Sequence, residues 1–275
     1  MSFETIILTR EEGIATVTLN RPEAVNTINL QMCDELTQVI TEASQDDGIR
    51  VLVIKATGRV FCAGGDFRPA KVRAKEVTVE AAEDMAPAYV ATRKGKLLPD
   101  PIQLQLLLQR LDKPTIAVVQ GPAIGHGLDL ALACDIRIGS PKARFVVGFT
   151  NMGLPPPTGG AWLMPRIVGL GIALQWIFTG EPCEAEEAYR IGLLNKLVPA
   201  EQLDDETLKL ARRLAAGSPI AHRLAKLLVY KGLEMDFENA LTFGNSCGFI
   251  AGASEDFKEG IKALAEKRTP LFEDR

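Results

Sequence analysis

Histidine is scarce in this chain of 275 residues. Only His126 and His222 are present, and neither belongs to an HExxH motif or to a group of cysteine and histidine ligands. The cysteines are scattered, odd in number and without a CxxC pair: Cys33, Cys62, Cys134, Cys183 and Cys247. Such cysteines are typical of free thiols in a reducing compartment. The pattern argues against a disulfide framework and against a zinc site, so we expect no bound metal.

The chain also lacks an excess of positive charge and long apolar runs. Lys and Arg total 31 against 35 Asp and Glu, which gives a net charge of −4. This balance does not favour nucleic acid or anionic lipid, and no apolar run reaches the roughly 18 residues of a membrane span. The first residues have neither a secretory signal pattern nor an Arg-rich transit pattern. We therefore predict a cytoplasmic protein without nucleic-acid or membrane partners.

Strand and helix patterns alternate over the first two thirds of the chain. Two apolar runs, at 6–8 and 14–19, flank Glu11-Glu12-Gly13 and predict a β-hairpin. Apolar residues then recur at helical spacing from Leu30 to Ala43. Short apolar runs predict buried strands at 51–54, 116–119 and 136–138. Strands that alternate with helices indicate an α/β fold.

Two later segments differ from this pattern. Residues 68–100 lack a clean period and are predicted to form a long surface insertion, a kind of loop that is often functional. The insertion carries two small basic groups, for which a solvated face is favoured over phosphate binding: Lys71, Arg73, Lys75, Arg93, Lys94 and Lys96. From Leu203 onward the pattern is helical, with breaks before Pro219, Phe237 and Glu255. The C-terminal quarter is therefore predicted to be an all-helical subdomain.

Two glycine-rich loops follow predicted strands, at 60–66 and 120–129. In parallel sheets, ligands gather beyond the carboxyl ends of the strands, where glycines let backbone N–H groups approach closely. The second loop runs into a helical pattern whose N-terminal dipole favours developing negative charge. Two such amides can form an oxyanion hole, and simple strand-to-helix turns are an equally weighted alternative. Neither loop matches the Rossmann or P-loop pattern.

A GxSxG pattern occurs at Gly244 to Gly248. A nucleophile elbow needs a strand before the serine and a helix after it, whereas the pattern here is helical on both sides. No histidine follows Ser246 in the chain, so the usual order of triad residues cannot be completed. We do not expect Ser246 to be catalytic.

A set of motifs resembles the crotonase (enoyl-CoA hydratase/isomerase) superfamily in order and spacing, almost from end to end. The motifs are Leu19-Asn20-Arg21-Pro22 with Asn26, Phe61-Cys62-Ala63-Gly64-Gly65-Asp66, Lys113-Pro114-Thr115 with Gly121, Cys134-Asp135, Gly153-Leu154-Pro155 with Gly159-Gly160, Gly192-Leu193-Leu194-Asn195 with Val198-Pro199, and Glu266 to Phe272. Together they are specific for the fold and for acyl-CoA binding, and much less so for the reaction.

The resemblance implies a crotonase-type spiral of ββα units over 1–199 and a C-terminal all-helical oligomerisation subdomain over 200–275, which packs homotrimers, usually as dimers of trimers. The substrate is an acyl-CoA, so coenzyme A enters as part of the substrate and no separate cofactor is expected. The backbone N–H groups of Ala63 and His126 are the implied oxyanion donors. The implied substrate-binding residues are Glu23, Ala24, Cys62, Ala63, Gly64, Gly65, Asp66, Gly125, Phe149, Pro157 and Lys267.

The chain departs from the family pattern at its catalytic positions. Asp129 stands where the first catalytic glutamate is expected, and Phe149 stands at the second. Pro157 occupies the position where other members place an alternative acid, and His126 replaces the middle glycine of a glycine triplet. A structural helix cap is the alternative role for Asp129. A side chain without a role in the reaction is the favoured reading for His126.

One obvious carboxylate favours one kind of reaction over another. Hydration needs a base for water and an acid for carbon, which two carboxylates serve most simply. A double-bond shift needs only one group, so Asp129 suffices if burial raises its pKa toward neutrality. We therefore expect isomerisation or hydration of an enoyl-CoA. The alternatives are other enolate chemistry, such as thioester hydrolysis or decarboxylation, and a catalytically silent acyl-CoA-binding protein.

Overall fold

A computed structural model of the chain describes residues 3–66 and 101–274. It begins with the predicted hairpin, in which β1 (Ile6–Glu11) pairs antiparallel with β2 (Ile14–Leu19). Gly13 completes the turn with a φ of +75°, which glycine adopts without steric cost. The first helix, α1 (Leu30–Gln45), starts where the Asn29 side chain accepts a hydrogen bond from the Met32 N–H.

The main sheet contains six strands in the order β1-β2-β3-β4-β6-β9. Its members beyond the hairpin are β3 (Val51–Ala56), β4 (Thr115–Val119), β6 (Ile136–Gly139) and β9 (Lys196–Leu197). All pairs from β2 to β9 are parallel. The predicted strands at 51–54, 116–119 and 136–138 are confirmed as its centre, where wholly apolar runs are buried on both faces.

A second sheet of three strands was not predicted. Its order is β5-β7-β8, where β5 (Pro122–Ile124) runs parallel to β7 (Arg144–Val146), and β7 runs antiparallel to β8 (Cys183–Glu184). The chain passes from β4 to β5 and from β6 to β7, and so alternates between the two sheets. This alternation of short strands with helices is the predicted spiral.

The helices between and after these strands cover the sheets. They are α2 (Pro101–Arg110), α3 (His126–Ala133), α4 (Gly160–Val168), α5 (Leu170–Thr179) and α6 (Ala185–Arg190). The main core lies between one face of the six-stranded sheet and helices α1, α2 and α3, where Leu52 and Ile54 meet Met32 and Leu108. Val51 and Val53 point to the opposite face, as the two-residue period of a strand requires.

The C-terminal quarter is helical, as predicted: α7 (Leu203–Ala215), α8 (Pro219–Gly232), α9 (Phe237–Gly252) and α10 (Glu255–Glu266). Ser218, Asp236 and Ser254 each accept a hydrogen bond from a backbone N–H three residues later and so cap α8, α9 and α10. Helix α7 packs on the second face of the main sheet, where Leu203, Ala211 and Ala215 share a cluster with Val51 and Val53. Division of the chain at residue 199 stays a prediction.

Three further predictions concern Ser246, the insertion at 68–100 and membrane-spanning helices. Ser246 lies inside α9 and its hydroxyl donates to Thr242 O, so the GxSxG match does not form an elbow. The insertion predicted at 68–100, with its basic groups, lies outside the described residues. In the described ranges, 3–66 and 101–274, no helix is both long enough and apolar enough to cross a membrane.

Candidate active site

The two glycine-rich loops lie side by side beyond the ends of β3 and β4. The Ile124 N–H donates to Cys62 O at 2.9 Å, and the Phe61 N–H donates to Pro122 O at 3.0 Å. Gly64 has a φ of +105°, and a Cβ at this position would lie 3.0 Å from Ile124 O. The close approach of the loops therefore depends on glycine at position 64. The two loops are therefore in contact, and the oxyanion role of their amides stays a prediction.

Gly127 brings the start of α3 against the first loop. A Cβ on Gly127 would lie 2.4 Å from Cys62 O and 2.7 Å from Cys62 Sγ, so no larger residue fits without movement. Burial raises the pKa of the Cys62 thiol to about 12, which keeps it protonated. Cys62 thus packs against the helix and is not a nucleophile at neutral pH.

Ala63 is engaged by the loop that precedes α1. Its N–H donates to Val25 O at 3.1 Å. Val25 and Asn26 both have left-handed φ angles, 48° and 54°. The fully buried Asn26 amide holds this turn by donating to Thr57 O at 2.8 Å and to Val60 O at 2.9 Å. A thioester oxygen must share or displace the Val25 carbonyl to use the Ala63 donor.

His126 is the first residue of α3, and its N–H therefore has no partner inside the helix. No other acceptor for this N–H occurs among the described residues. A Cβ on Gly64 would lie 3.7 Å from His126 N, which places this amide beside the first loop. The imidazole is buried, and burial lowers its pKa to about 4, so the ring is neutral at physiological pH.

Asp129 is buried, 2% exposed, three residues after His126 on α3. Its Oδ2 accepts a hydrogen bond from the Thr158 hydroxyl, and its carboxylate also accepts one from the Gly160 N–H at the start of α4. Burial raises the pKa of Asp129 to about 6, against the two hydrogen bonds, which lower it. The carboxylate is therefore mostly ionised at neutral pH and exchanges a proton readily.

The geometry supports both roles considered for Asp129. The Gly160 N–H is one of the orphan donors of α4, so the carboxylate caps that helix rather than its own. A carboxylate has about four lone-pair positions, and these two donors leave others available to a substrate. A cap and a general base are thus compatible in one side chain.

Phe149 occupies the position of the missing second carboxylate. Its side chain is buried, and a Cβ on Gly125 would lie 3.5 Å from its Cζ atom. The ring therefore packs against the loop that leads into α3. Pro157 is exposed and carries no ionisable group. Asp129 is the only Asp or Glu among these three positions, as the sequence indicates.

The residues expected to hold coenzyme A surround the turn at 22–26. Glu23 is exposed and Ala24 is buried in a short 3₁₀ turn, Pro22–Ala24. The Asp66 carboxylate accepts a hydrogen bond from Arg21 at 3.0 Å and one from the Thr27 hydroxyl at 3.2 Å. This ion pair ties the first loop, with Gly65, to the turn. A coenzyme A role for Glu23, Ala24, Gly65 and Asp66 stays a prediction.

Lys267 lies away from these loops within one chain. It ends α10 with a φ of 54°. The tail beyond it is held where Arg50 donates to Phe272 O at 2.7 Å, just before β3 begins. This contact lies at the N-terminal ends of the strands, whereas the loops follow their C-terminal ends. The structure does not bring Lys267 to its own chain's site, and its predicted contact with coenzyme A is untested.

Two residues of the site were missed in the sequence. Thr158 lies in the turn before Gly159-Gly160, outside any motif, and its hydroxyl donates a hydrogen bond to Asp129. Gln105 lies in α2 within an apolar run. A Cβ added to Gly159 would lie 3.9 Å from the Gln105 Cβ. A glutamine on the buried face of an otherwise apolar helix was the available signal for Gln105. Nothing local distinguishes Thr158.

The arrangement of loops, spiral and C-terminal helices is that of a crotonase-type enzyme. Comparison with known proteins agrees with it. A family model described as enoyl-CoA hydratase/isomerase matches residues 9–275. The chain belongs to the enoyl-CoA hydratase/isomerase family.

Individual relatives cover the whole chain but differ in reaction. A trans-2-decenoyl-[acyl-carrier-protein] isomerase of Streptococcus mutans is 34% identical, with 99% of each chain covered. A crotonyl-CoA hydratase of Syntrophomonas wolfei is also 34% identical, with the same coverage. The crystal structure of an enoyl-CoA hydratase from Bacillus anthracis matches with a TM-score of 0.88 at 29% identity, over 99% of this chain and 100% of that one. These likenesses establish a hydratase or isomerase and do not separate the two reactions.

Proposed function

We propose that the protein isomerises the double bond of an enoyl thioester, with Asp129 as its single acid–base group. The observation that supports this most is the buried Asp129 carboxylate, whose pKa is raised to about 6, together with a buried Phe149 where the family pattern places a second carboxylate. A general base works best when its pKa lies near the working pH. One such group is sufficient for a proton shift and leaves hydration without its second partner.

The reaction uses one proton and one carboxylate. Asp129 removes a proton from C2 of a 3-enoyl thioester, and the electron pair of the C–H bond spreads over the dienolate and its oxygen. The protonated Asp129 then returns a proton to C4, the double bond moves to between C2 and C3, and the thioester carbonyl is restored. The carboxylate ends in its starting state, so no co-reactant is required.

The enolate oxygen needs donors that are in place before the proton moves. The N–H of His126 fits this role because it has no acceptor among the described residues and lies at the positive end of α3. The Ala63 N–H becomes the second donor when the thioester oxygen replaces Val25 O. Removal of one oxyanion donor typically lowers kcat by about 10² to 10³.

Incubation of the protein in D₂O with 3-enoyl-CoA, 2-enoyl-CoA and saturated acyl-CoA, read by mass spectrometry, tests this proposal. Isomerisation predicts conversion of the 3-enoyl to the 2-enoyl ester without the mass of water. The two esters have the same mass and are separated by chromatography, and deuterium enters only where the proton on Asp129 exchanges with solvent before it reaches C4. Loss of the coenzyme A indicates thioester hydrolysis instead, and loss of carbon dioxide from a 2-carboxyacyl-CoA added to the panel indicates decarboxylation. No change in esters that demonstrably bind contradicts any catalytic role and indicates a silent acyl-CoA-binding protein.

Hydration is the second candidate, and one observation favours it. Gln105 and His126 are both buried, and both carry side-chain atoms that have no hydrogen-bond partner in the described part of the chain. Groups of this kind can hold the attacking water that a second carboxylate otherwise holds. The same experiment in D₂O identifies hydration by the added mass of water.

We further propose a homotrimer or a dimer of trimers. Large apolar side chains on the last helices are exposed in the single chain: Phe237, Leu241, Phe249, Ile250 and Leu264. Apolar surface of this extent on neighbouring helices is typical of an interface between subunits. Light scattering on the purified protein is expected to give three or six times the chain mass, and a monomer contradicts the proposal.

We also retain the cytoplasm as the proposed compartment. All five cysteines are free and buried, which supports a reducing environment. Fractionation of cells that express the protein from its own gene tests this directly.

A further inference from the structure

The Gln105 side chain is buried, and its amide has no partner in the part of the chain that the structure describes. It lies on α2 next to Leu104 and one turn before Leu108, on the face that packs into the core, and is 5% exposed. Within residues 3–66 and 101–274, neither its Nε2 nor its Oε1 has a hydrogen-bond partner. Buried amides are almost always hydrogen-bonded, because a desolvated donor or acceptor left unpaired destabilises the fold. An amide with both atoms unpaired is therefore expected to meet a ligand or a water.

His126 carries a second atom of this kind. The imidazole is 5% exposed, and its Nε2 has no hydrogen-bond partner among the residues described. His126 and Asp129 are three residues apart on α3, so their side chains lie on the same face of the helix, one turn from each other. The unpaired Nε2 thus belongs to the immediate surroundings of the catalytic carboxylate.

The start of α4 connects Gln105 to Asp129. A Cβ on Gly159 would lie 3.9 Å from Gln105 Cβ, and a Cβ on Gly160 would lie 2.2 Å from Asp129 Oδ1. Gly159 thus lies against the aliphatic stem of Gln105, and the next residue, Gly160, lies against the Asp129 carboxylate. A side chain on Gly160 would collide with that carboxylate.

The chemistry of the cluster limits what it can bind. An amide supplies donors and an acceptor, a neutral imidazole nitrogen supplies one or the other, and the neighbouring Asp129 repels an anion. A hydroxyl group or a water, which both donates and accepts, matches this set. A methylene group in the same place would leave the amide unpaired.

We propose that Gln105 and His126 form a subsite beside Asp129 for a neutral O–H group, either a water or the 3-hydroxyl of a 3-hydroxyacyl thioester. The inference rests on the proposed thioester substrate and adds a residue that neither the motifs nor the isomerisation step uses. Water and the 3-hydroxyl have the same chemistry, since addition of the first to an enoyl thioester yields the second.

Calorimetric titration with pairs of 3-hydroxyacyl-CoA and saturated acyl-CoA of equal chain length tests the subsite without any need for turnover. The wild-type protein is expected to bind the hydroxy form about tenfold or more tightly, because a site built for a hydroxyl discriminates against its absence. Gln105→Met keeps the length of the side chain and removes the amide, and it is expected to bring the ratio close to one. Gln109→Met, four residues later on α2, is the matched control and is expected to keep the wild-type ratio.

The stability of the free protein separates a binding role from a structural one. Removal of an unpaired buried amide predicts that Gln105→Met raises the thermal midpoint of the ligand-free protein by a few degrees. A structural hydrogen-bonding role predicts a lower midpoint. If Gln105→Met does not fold, Gln105→Asn is the second variant, because it withdraws the same amide by one methylene. It is expected to lower the preference for 3-hydroxyacyl-CoA over saturated acyl-CoA.

The outcomes distinguish this inference from the function on which it rests. Equal binding of the two esters by the wild type, or an unchanged ratio in Gln105→Met, overturns the subsite and leaves the proposed function standing. Absence of binding to every acyl-CoA overturns both. Where the preference is found, ¹⁸O uptake from labelled water into enoyl-CoA identifies water as the occupant, and absence of uptake identifies the hydroxyl of the substrate.

Discussion

The Thr158 hydroxyl donates a hydrogen bond to the Asp129 carboxylate and joins the turn before α4 to the first turn of α3. The contact stabilises the ionised carboxylate in surroundings that otherwise disfavour charge. Burial has a larger effect than the hydrogen bonds, so the pKa of Asp129 is raised to about 6. Thr158 is therefore a positioning residue that sets both the orientation and the basicity of Asp129.

Thr158→Val is expected to move the pH dependence of the reaction upward. The hydrogen bond from Thr158 lowers the pKa of Asp129, so its loss raises that pKa and delays formation of the active carboxylate. The acidic limb of kcat/KM against pH, expected near pH 6 in the wild type, then shifts toward neutrality. Thr158→Ser retains a hydroxyl and is the control. A limb that stays in place in the valine variant contradicts this role.

Asp129→Asn is expected to stabilise the protein at neutral and alkaline pH. The pKa of Asp129 rises from an ordinary 3.8 to about 6 on folding, so the folded chain holds a proton that the unfolded chain has released. The contribution of Asp129 to the free energy of unfolding is therefore largest below about pH 4 and is lost as the pH rises through about 6. The change in this free energy corresponds to about 3 kcal/mol.

Thermal denaturation measures this difference. The asparagine variant is expected to melt several degrees above the wild type at pH 8, with the gap closing near pH 4. A constant gap across this range indicates that ionisation of Asp129 does not carry the effect.

Phe149→Glu is expected to increase hydration relative to isomerisation. It restores a carboxylate where the family places its second one, next to Gly125. The ratio of water addition to double-bond shift is expected to rise about tenfold or more, while a buried charge lowers the thermal midpoint. Phe149→Leu changes the packing without adding an acid and is the control. An unchanged product ratio in the glutamate variant contradicts the importance of this position.

Gly127→Ala is expected to damage both fold and activity. The added methyl group lies 2.4 Å from Cys62 O, so α3 and the first loop must separate. Overpacking of this kind typically costs about 1–3 kcal/mol. Gly171→Ala is a matched control, because Gly171 lies in α5 with no atom within 4 Å of an added Cβ. It is expected to stabilise the protein by up to about 1 kcal/mol.

Patterns within short stretches of sequence predicted much of the fold. The hairpin, α1 and the central strands follow from apolar periodicity, and the C-terminal helices follow from the helical pattern with its breaks before Pro219, Phe237 and Glu255. The second sheet escaped prediction because β5 and β7 have only three residues each, too few for a period to show. Its strands are defined by their partners and not by their own composition.

The site divides in the same way. Asp129, His126 and the two loops belong to recognisable motifs, and the family resemblance implies that they share a site. Thr158 and Gln105 act through contacts between distant segments, which no spacing within one segment reveals. The hydrogen bond from Ala63 to Val25 O likewise depends on a turn with two left-handed residues, and the sequence contains no glycine there to indicate it.

The single-turnover rate of 3-enoyl-CoA isomerisation in Asp129→Asn shows whether this carboxylate moves the proton. We expect a fall of about 10³-fold, with binding of a saturated acyl-CoA retained. Asp34→Asn, at an exposed position on α1, is the control and is expected to match the wild type. A rate in Asp129→Asn that equals the wild-type rate would show that another group moves the proton.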